Sequence, residues 1–127
     1  MKNTKWLYAA GLVILVILVG WLIKTPGKAG ELDGFATCIK DKGALFYGAF
    51  WCPHCQNQKA LFGRSAKLLP YVECSNPDGK TQTKECTDKG ISGYPSWVFA
   101  DGTKEGGVVT LERLSELTSC QIPQNAA

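Results

Sequence analysis

Ala44-Leu45-Phe46-Tyr47-Gly48-Ala49-Phe50-Trp51-Cys52-Pro53-His54-Cys55 changes character at its first cysteine. The run from Ala44 to Phe50 is apolar and aromatic without a charge, which suits a strand buried on both faces. From Pro53 the apolar period becomes helical, through Cys55, Gln58, Leu61, Phe62, Leu68 and Leu69. Pro53 fits the first turn of that helix, where its missing donor costs nothing. Cys52 therefore stands at a strand-to-helix junction, with Cys55 one turn further in. Two cysteines so spaced on a first turn can form a disulfide without moving the backbone, and the first lies nearest the helix's unpaired N–H groups and positive end. A thiolate is favoured there, and His54 can add positive charge or a donor beside the sulfur. A stabilised thiolate makes the corresponding disulfide more oxidising. Cys52 is thus the expected nucleophile and leaving group. Cys55, with Phe50 and Leu61 flanking it, is the expected resolving cysteine, less exposed and less ionised.

Outward from this junction the other elements follow by pattern. Leu32, Phe35, Ala36 and Ile39 recur at helical spacing and Lys42-Gly43 supplies a stop, so a helix is expected over about 32–42, with Cys38 on or beside its apolar side. Pro70-Tyr71-Val72-Glu73-Cys74 reads as a second strand, and Ser75-Asn76-Pro77-Asp78-Gly79 as a turn. A short helix is expected from Lys84 to Lys89, ending at Gly90. Ser96 to Ala100 and Lys104 to Val109 flank Asp101-Gly102, a hairpin signal, and Thr110 starts a last helix marked by Leu111, Leu114 and Leu117. The order helix, strand, helix, strand, helix, hairpin, helix builds a small mixed sheet with helices on both faces and a right-handed crossover. That α/β layout is the layout of a thioredoxin-like fold, expected over residues 31–127.

Residues 1–24 read differently. No charged side chain occurs from Trp6 to Ile23, and as a helix this stretch spans roughly 27 Å, a match to the hydrocarbon core of a bilayer. Lys2 and Lys5 precede it, Lys24 and Lys28 follow it, and Trp6, Tyr8 and Trp21 sit near its ends, where interfacial aromatics belong. A short leader before the span and a cysteine-rich part behind it favour a signal anchor with its N-terminus in the cytoplasm. The domain then faces the extracytoplasmic side of the cell membrane, joined by a linker at residues 25–30 that is rich in helix breakers. The alternative is a cleaved signal peptide, with Gly27-Lys28-Ala29 as a poor small-x-small site before Gly30.

At 127 residues with a formal net charge of +3, the chain holds one small domain behind its apolar segment, and its Lys and Arg residues form no stripe that would follow a phosphate backbone. A nucleic-acid partner is therefore not expected. Six cysteines in so short a chain suit an oxidising compartment. The pair at 52 and 55 could be half of a zinc knuckle, but Cys74 and Cys86 are too widely spaced to complete it and the one histidine lies inside the motif. A c-type haem site would need histidine where Gln56 stands. A purely structural Cys52–Cys55 disulfide would close a tiny loop and stabilise little. No metal and no cofactor is expected.

Phe46-Tyr47-Gly48-Ala49-Phe50-Trp51-Cys52-Pro53-His54-Cys55, Leu61-Phe62-Gly63, Tyr71-Val72-Glu73-Cys74, Glu85-Cys86 and Gly93-Tyr94-Pro95-Ser96-Trp97 together carry a resemblance. From about Phe35 to Leu117 the chain looks like the thioredoxin-like domain found fused to, or working with, bacterial and plant homologues of vitamin K epoxide reductase. The resemblance implies a thiol:disulfide oxidoreductase in which Cys52 and Cys55, with Pro53, His54 and Pro95, form the catalytic site. It implies that Pro95 is the cis-proline held against the active cysteines and that Trp51, Tyr94 and Pro95 meet the substrate. It further implies a Cys74–Cys86 disulfide, which would clip a loop of about a dozen residues and contribute ~3 kcal/mol. Free buried thiols are the alternative. Cys38 and Cys120 are not part of that four-cysteine pattern, yet they flank the fold and could join its first and last helices, at ~4–5 kcal/mol if bonded.

The fused forms carry a multi-helix quinone-reducing domain, so with one apolar segment here the resemblance implies a separate vitamin K epoxide reductase-like membrane partner. Electrons would pass from substrate protein thiols through Cys52 and Cys55 to that partner; the same enzyme run backwards, as a reductase or isomerase, is the alternative. A non-catalytic module holding copper through the cysteines is a third reading, although with Met1 and His54 as the sole residues of their types soft-metal ligands are scarce. Cytosolic thioredoxins bury an aspartate in the strand before the active site, where this sequence has Phe46, Tyr47 and Gly48. The usual proton acceptor for Cys55 is therefore missing; Glu73 could replace it, but reads more simply as a half-exposed strand carboxylate.

Overall fold

The computed structural model describes residues 2–24 and 29–124; residues 25–28 of the expected linker and residues 125–127 lie outside the described residues. The first element, α1 (Lys2–Lys24), contains a stretch, Asn3–Leu22, that is long and apolar enough to cross a membrane. Its apolar side chains are exposed on every side of the helix. A helix without a polar face has no preferred side to turn toward a soluble core.

The domain comprises α2 (Asp33–Asp41), β1 (Leu45–Gly48), α3 (Pro53–Ala60), a 3-10 helix (Gly63–Leu68), β2 (Tyr71–Glu73), α4 (Lys84–Asp88), β3 (Ser96–Val98), β4 (Lys104–Gly106) and α5 (Leu111–Thr118). The sheet order is β2-β1-β3-β4. β1 and β2 are parallel, as a crossover through α3 requires, and the other two pairings are antiparallel. Neighbouring residues on a strand point to opposite faces, and Phe46 and Tyr47 show it. Phe46 lies in the larger core with Phe35 and Ile39 of α2, Cys55 of α3, Trp97 of β3 and Leu114 of α5. Tyr47 lies in a second core with Cys74, Cys86 of α4 and Ile91. The chain thus adopts the thioredoxin-like arrangement, a small mixed sheet with helices on both faces.

Several boundaries depart from the pattern expected from sequence. The strand stops at Gly48 rather than Phe50, and Leu45 is exposed, so burial on both faces belongs to Phe46, Tyr47 and Gly48. Ala49 to Trp51 form a turn, closed by the Cys52 N–H donating to the Ala49 carbonyl at 3.0 Å, and its apolar side chains made it look like more strand. The helical period that continues to Leu69 is broken after Ala60, because Gly63 takes φ +51°, a left-handed conformation that favours glycine, and a 3-10 helix follows. The last strand ends at Gly106, where the next residue leaves the ladder and donates from its N–H to the Pro95 carbonyl at 2.9 Å. The final helix begins as its sequence signals: the Thr110 hydroxyl accepts from the Arg113 N–H at 3.2 Å.

Two disulfides tie the elements of the domain together. Cys38 on α2 is bonded to Cys120 just past α5, and Cys74 after β2 is bonded to Cys86 on α4. A third tie is polar. Gln58 is fully buried on α3, and its amide oxygen accepts from the Val109 N–H at 2.7 Å and the Trp97 indole at 3.3 Å, while its Nε2 donates to the Val109 carbonyl at 3.0 Å. One side chain therefore satisfies three buried groups and pins α3 to the segment before α5.

Gln58→Ala leaves those three groups unpaired and is expected to lower unfolding free energy by about 3 kcal/mol. Urea unfolding with the disulfides intact measures this, and a loss below about 1 kcal/mol would contradict the clamp.

Candidate active site

Cys52 is the residue before α3, with extended backbone (φ −81°, ψ 117°), and Pro53 opens the helix. The Cys52 side chain makes no capping bond to that helix. Its thiol instead donates to the Tyr94 carbonyl at 3.7 Å, which brings the segment before β3 against the cysteine. The Tyr94–Pro95 peptide is cis, and Pro95 is buried. Trp51 is half exposed; its indole donates to the Ser75 hydroxyl at 2.9 Å, and its ring meets that of Tyr94 edge-on at 6.0 Å. His54 and Pro53 are exposed on the first turn of α3. Cys52, Pro53, His54, Cys55, Trp51, Tyr94 and Pro95 are therefore gathered at one end of the sheet.

Cys52 and Cys55 are the free cysteines, and both are buried, at 5% and 0% exposure. The residual opening belongs to Cys52. Phe50 and Leu61, the residues expected from sequence to shield Cys55, are themselves 51% and 41% exposed. The cover comes from the sheet instead. A methyl group built on Gly48 would lie 2.9 Å from Cys55 Sγ, 2.8 Å from Tyr71 Cε2 and 3.4 Å from the Tyr71 hydroxyl. Only a residue without a side chain lets thiol and phenol share that space.

Burial pushes the Cys55 thiol up to about 12 from an ordinary 9.0; a backbone hydrogen bond at Ala49 opposes this, the hydrogen bond and charge of Cys52 add to it, and Lys59 pulls the other way. Tyr71 is surrounded on two sides. Its hydroxyl donates to Glu73 Oε2 at 2.8 Å, and the Lys59 ammonium stands 3.6 Å above its ring. Burial first, then the Glu73 hydrogen bond and charge, then the charges of Cys55 and Cys52, push its phenol far above the usual range. Glu73 is half-buried, but it is not the loose strand carboxylate its sequence position suggests. Its Oε1 accepts from the N–H groups of Phe50 at 3.2 Å and Ser75 at 2.9 Å. Sequence reasoning passed over the contacts of Gly48, Lys59 and Tyr71; the signal available was the i,i+4 spacing of Cys55 and Lys59 on α3, whereas the pairing that sets Phe46 beside Tyr71 and Gly48 beside Glu73 is visible only in the folded sheet.

Among the described residues no cluster of His, Cys, Asp and Glu is arranged to hold a metal ion. No protein-family model matches the chain. Over 87 residues it is 45% identical to the thiol-disulfide oxidoreductase LTO1 of Arabidopsis thaliana, a match covering 65% of this chain and 23% of that protein. The chain thus spans about a quarter of the length of the curated relative it matches.

With Cys52→Ala, burial still disfavours the Cys55 thiolate. The midpoint of its alkylation rate against pH should therefore lie well above 9.0, the ordinary thiol value, because the thiolate is the reacting species. A rate that is half-maximal at pH 9.0 would show an unshifted thiol.

Proposed function

We propose that the chain is a membrane-anchored, extracytoplasmic thiol:disulfide oxidoreductase whose Cys52–Cys55 pair alternates between disulfide and dithiol. The observation that carries this reading is that these two cysteines stay free at the head of α3, against Tyr94–Pro95, while the other four are bonded in pairs. Similarity to a thiol-disulfide oxidoreductase supports the chemistry. The apolar helix supports the anchor, and two structural disulfides suit an oxidising compartment.

In the oxidising direction a substrate thiolate attacks Cys52 Sγ of the disulfide. The Cys52–Cys55 bond breaks, and Cys55 leaves with its electron pair and takes a proton. A second substrate thiolate then attacks the substrate sulfur of the mixed disulfide, forming the substrate's disulfide and expelling Cys52 as thiolate. The substrate has lost two electrons, which the dithiol now holds. Regeneration runs through the same two sulfurs: Cys52 attacks a disulfide of the oxidant, and Cys55 resolves the mixed disulfide. Burial prevents Cys55 from meeting a protein partner directly, so Cys52 is the entry point in both half-reactions. His54, exposed beside it, faces whichever partner docks, and Trp51 and Tyr94 line the approach with Pro95 buried behind them. The oxidant we assign is a quinone-reducing membrane protein of the vitamin K epoxide reductase type, on the strength of the sequence resemblance.

Cys55→Ala removes the resolving thiol, so partners should remain disulfide-linked to Cys52 and be recovered after acid quenching. The expected captures are thiol-bearing extracytoplasmic proteins and a polytopic quinone-reducing protein; no reducible adduct, or adducts that persist in Cys52→Ala, would overturn the reading. The pair's reduction potential reports direction: a value near about −120 mV suits an oxidase and one near about −270 mV a reductase.

A further inference from the structure

A buried thiol that must gain and lose a proton in every cycle needs a path for it. On α3, Cys55 faces Cys52 and the Lys59 ammonium. From β1 it meets Gly48, which has no side chain, and the backbone at Ala49; the ring and hydroxyl of Tyr71 from β2 border the same position at Gly48, with Glu73 behind them. The segment before β3 contributes the Tyr94 main-chain carbonyl, already occupied by Cys52. His54 points to solvent. Among the described residues, the carboxylate nearest in this chain of contacts is Glu73, reached through the Tyr71 hydroxyl.

We propose that Tyr71 and Glu73 are the proton path of Cys55, with Lys59 as the positioning charge, in place of the buried aspartate that this strand lacks. The inference rests on the dithiol reading above. When Cys55 resolves a mixed disulfide, its Sγ–H proton passes to the Tyr71 oxygen while the phenolic proton passes to Glu73 Oε2. The freed sulfur pair forms the Cys55–Cys52 bond, the bond from Cys52 to the partner sulfur breaks, and that sulfur leaves as a thiolate. When the disulfide is opened from the other direction, Cys55 departs as thiolate and recovers its proton by the reverse route. Several features suit this use. The Tyr71 phenol is held protonated by its surroundings, so it hands protons on rather than ionising. Its hydroxyl and Cys55 Sγ both border the position where Gly48 lacks a side chain. Glu73 is fixed by two backbone N–H groups, one of them that of Phe50, two residues before Cys52. Lys59 sits over the ring between them and lowers the cost of negative charge on Cys55.

The test follows the full chain in detergent, with Cys52 and Cys55 reduced and the structural disulfides intact, reacting with a chromogenic aryl disulfide in a stopped-flow instrument. The first aryl thiolate released reports attack by Cys52; the second reports resolution by Cys55. In Glu73→Gln and in Tyr71→Phe, which keeps the ring beneath Lys59, the second release should slow relative to the first at neutral pH. The expected change in this ratio is on the order of 10²-fold, the lower end of what a positioned proton acceptor contributes. The double variant should be no slower than either single one, because both residues serve one path. The pH profile of the second release should also shift, rising toward the ionisation of the buried thiol at about 12. A ratio and profile that stay at wild-type values, or two releases that slow together, would overturn the path. A wild-type protein that gives no second release at all would remove the dithiol reading itself, and the path with it.

Discussion

The site depends on the absence of one methyl group. Gly48 ends β1 directly over Cys55, and the side chain it lacks leaves room for the thiol from α3 and the phenol of Tyr71 from β2. Because β1 pairs in parallel with β2 at a register that sets Gly48 beside Glu73, that space also brings a carboxylate within one hydrogen bond of the phenol. A larger residue at 48 would force the sheet, the helix or both to shift in an interior with little slack.

The rest of the domain holds this corner still. Gln58, one turn after Cys55, fixes α3 through three buried hydrogen bonds. The Cys74–Cys86 disulfide secures the loop after β2, whose Ser75 takes the Trp51 indole and contributes an N–H to Glu73. Cys38–Cys120 ties α2 to the chain beyond α5. With four sulfurs committed to the scaffold and two left free, bonded and free cysteines are separated by position. One free sulfur lies at a helix's N-terminal edge beside a main-chain carbonyl; the other lies beneath the sheet, where burial holds its proton.

Much of this was legible in the sequence because it follows local rules. The switch from an unbroken apolar run to helical spacing places Cys52 at a strand-to-helix junction; Thr110 caps α5, and Asp101-Gly102 turns the hairpin, each through contacts within a few residues. Most of the failures share one cause. Phe50 and Leu61 were expected to shield Cys55 because they neighbour it in sequence, yet a turn and the break at Gly63 leave both exposed. Tyr71 and Gly48 went unnoticed because they meet Cys55 only once the sheet has formed and α3 packs on it, and periodicity within one element does not give the register between two; Lys59 lies one turn after Cys55 on α3, a local spacing that the sequence does show. Glu73 reads as an ordinary strand carboxylate until Phe50, Tyr71 and Ser75 are seen to converge on it.

On the function proposed above, one pair of sulfurs, Cys52 and Cys55, gains and loses two electrons while the other four stay bonded. The direct measurement equilibrates the full chain in detergent with thiol–disulfide buffers across a range of potentials, then quenches, alkylates and weighs the intact protein. The expected result is a single two-electron transition that adds two alkyl groups, mapping to Cys52 and Cys55 and vanishing when either is replaced by alanine. Two sulfurs that remain alkylatable at every potential, or a transition that maps to Cys38, Cys74, Cys86 or Cys120, would contradict it.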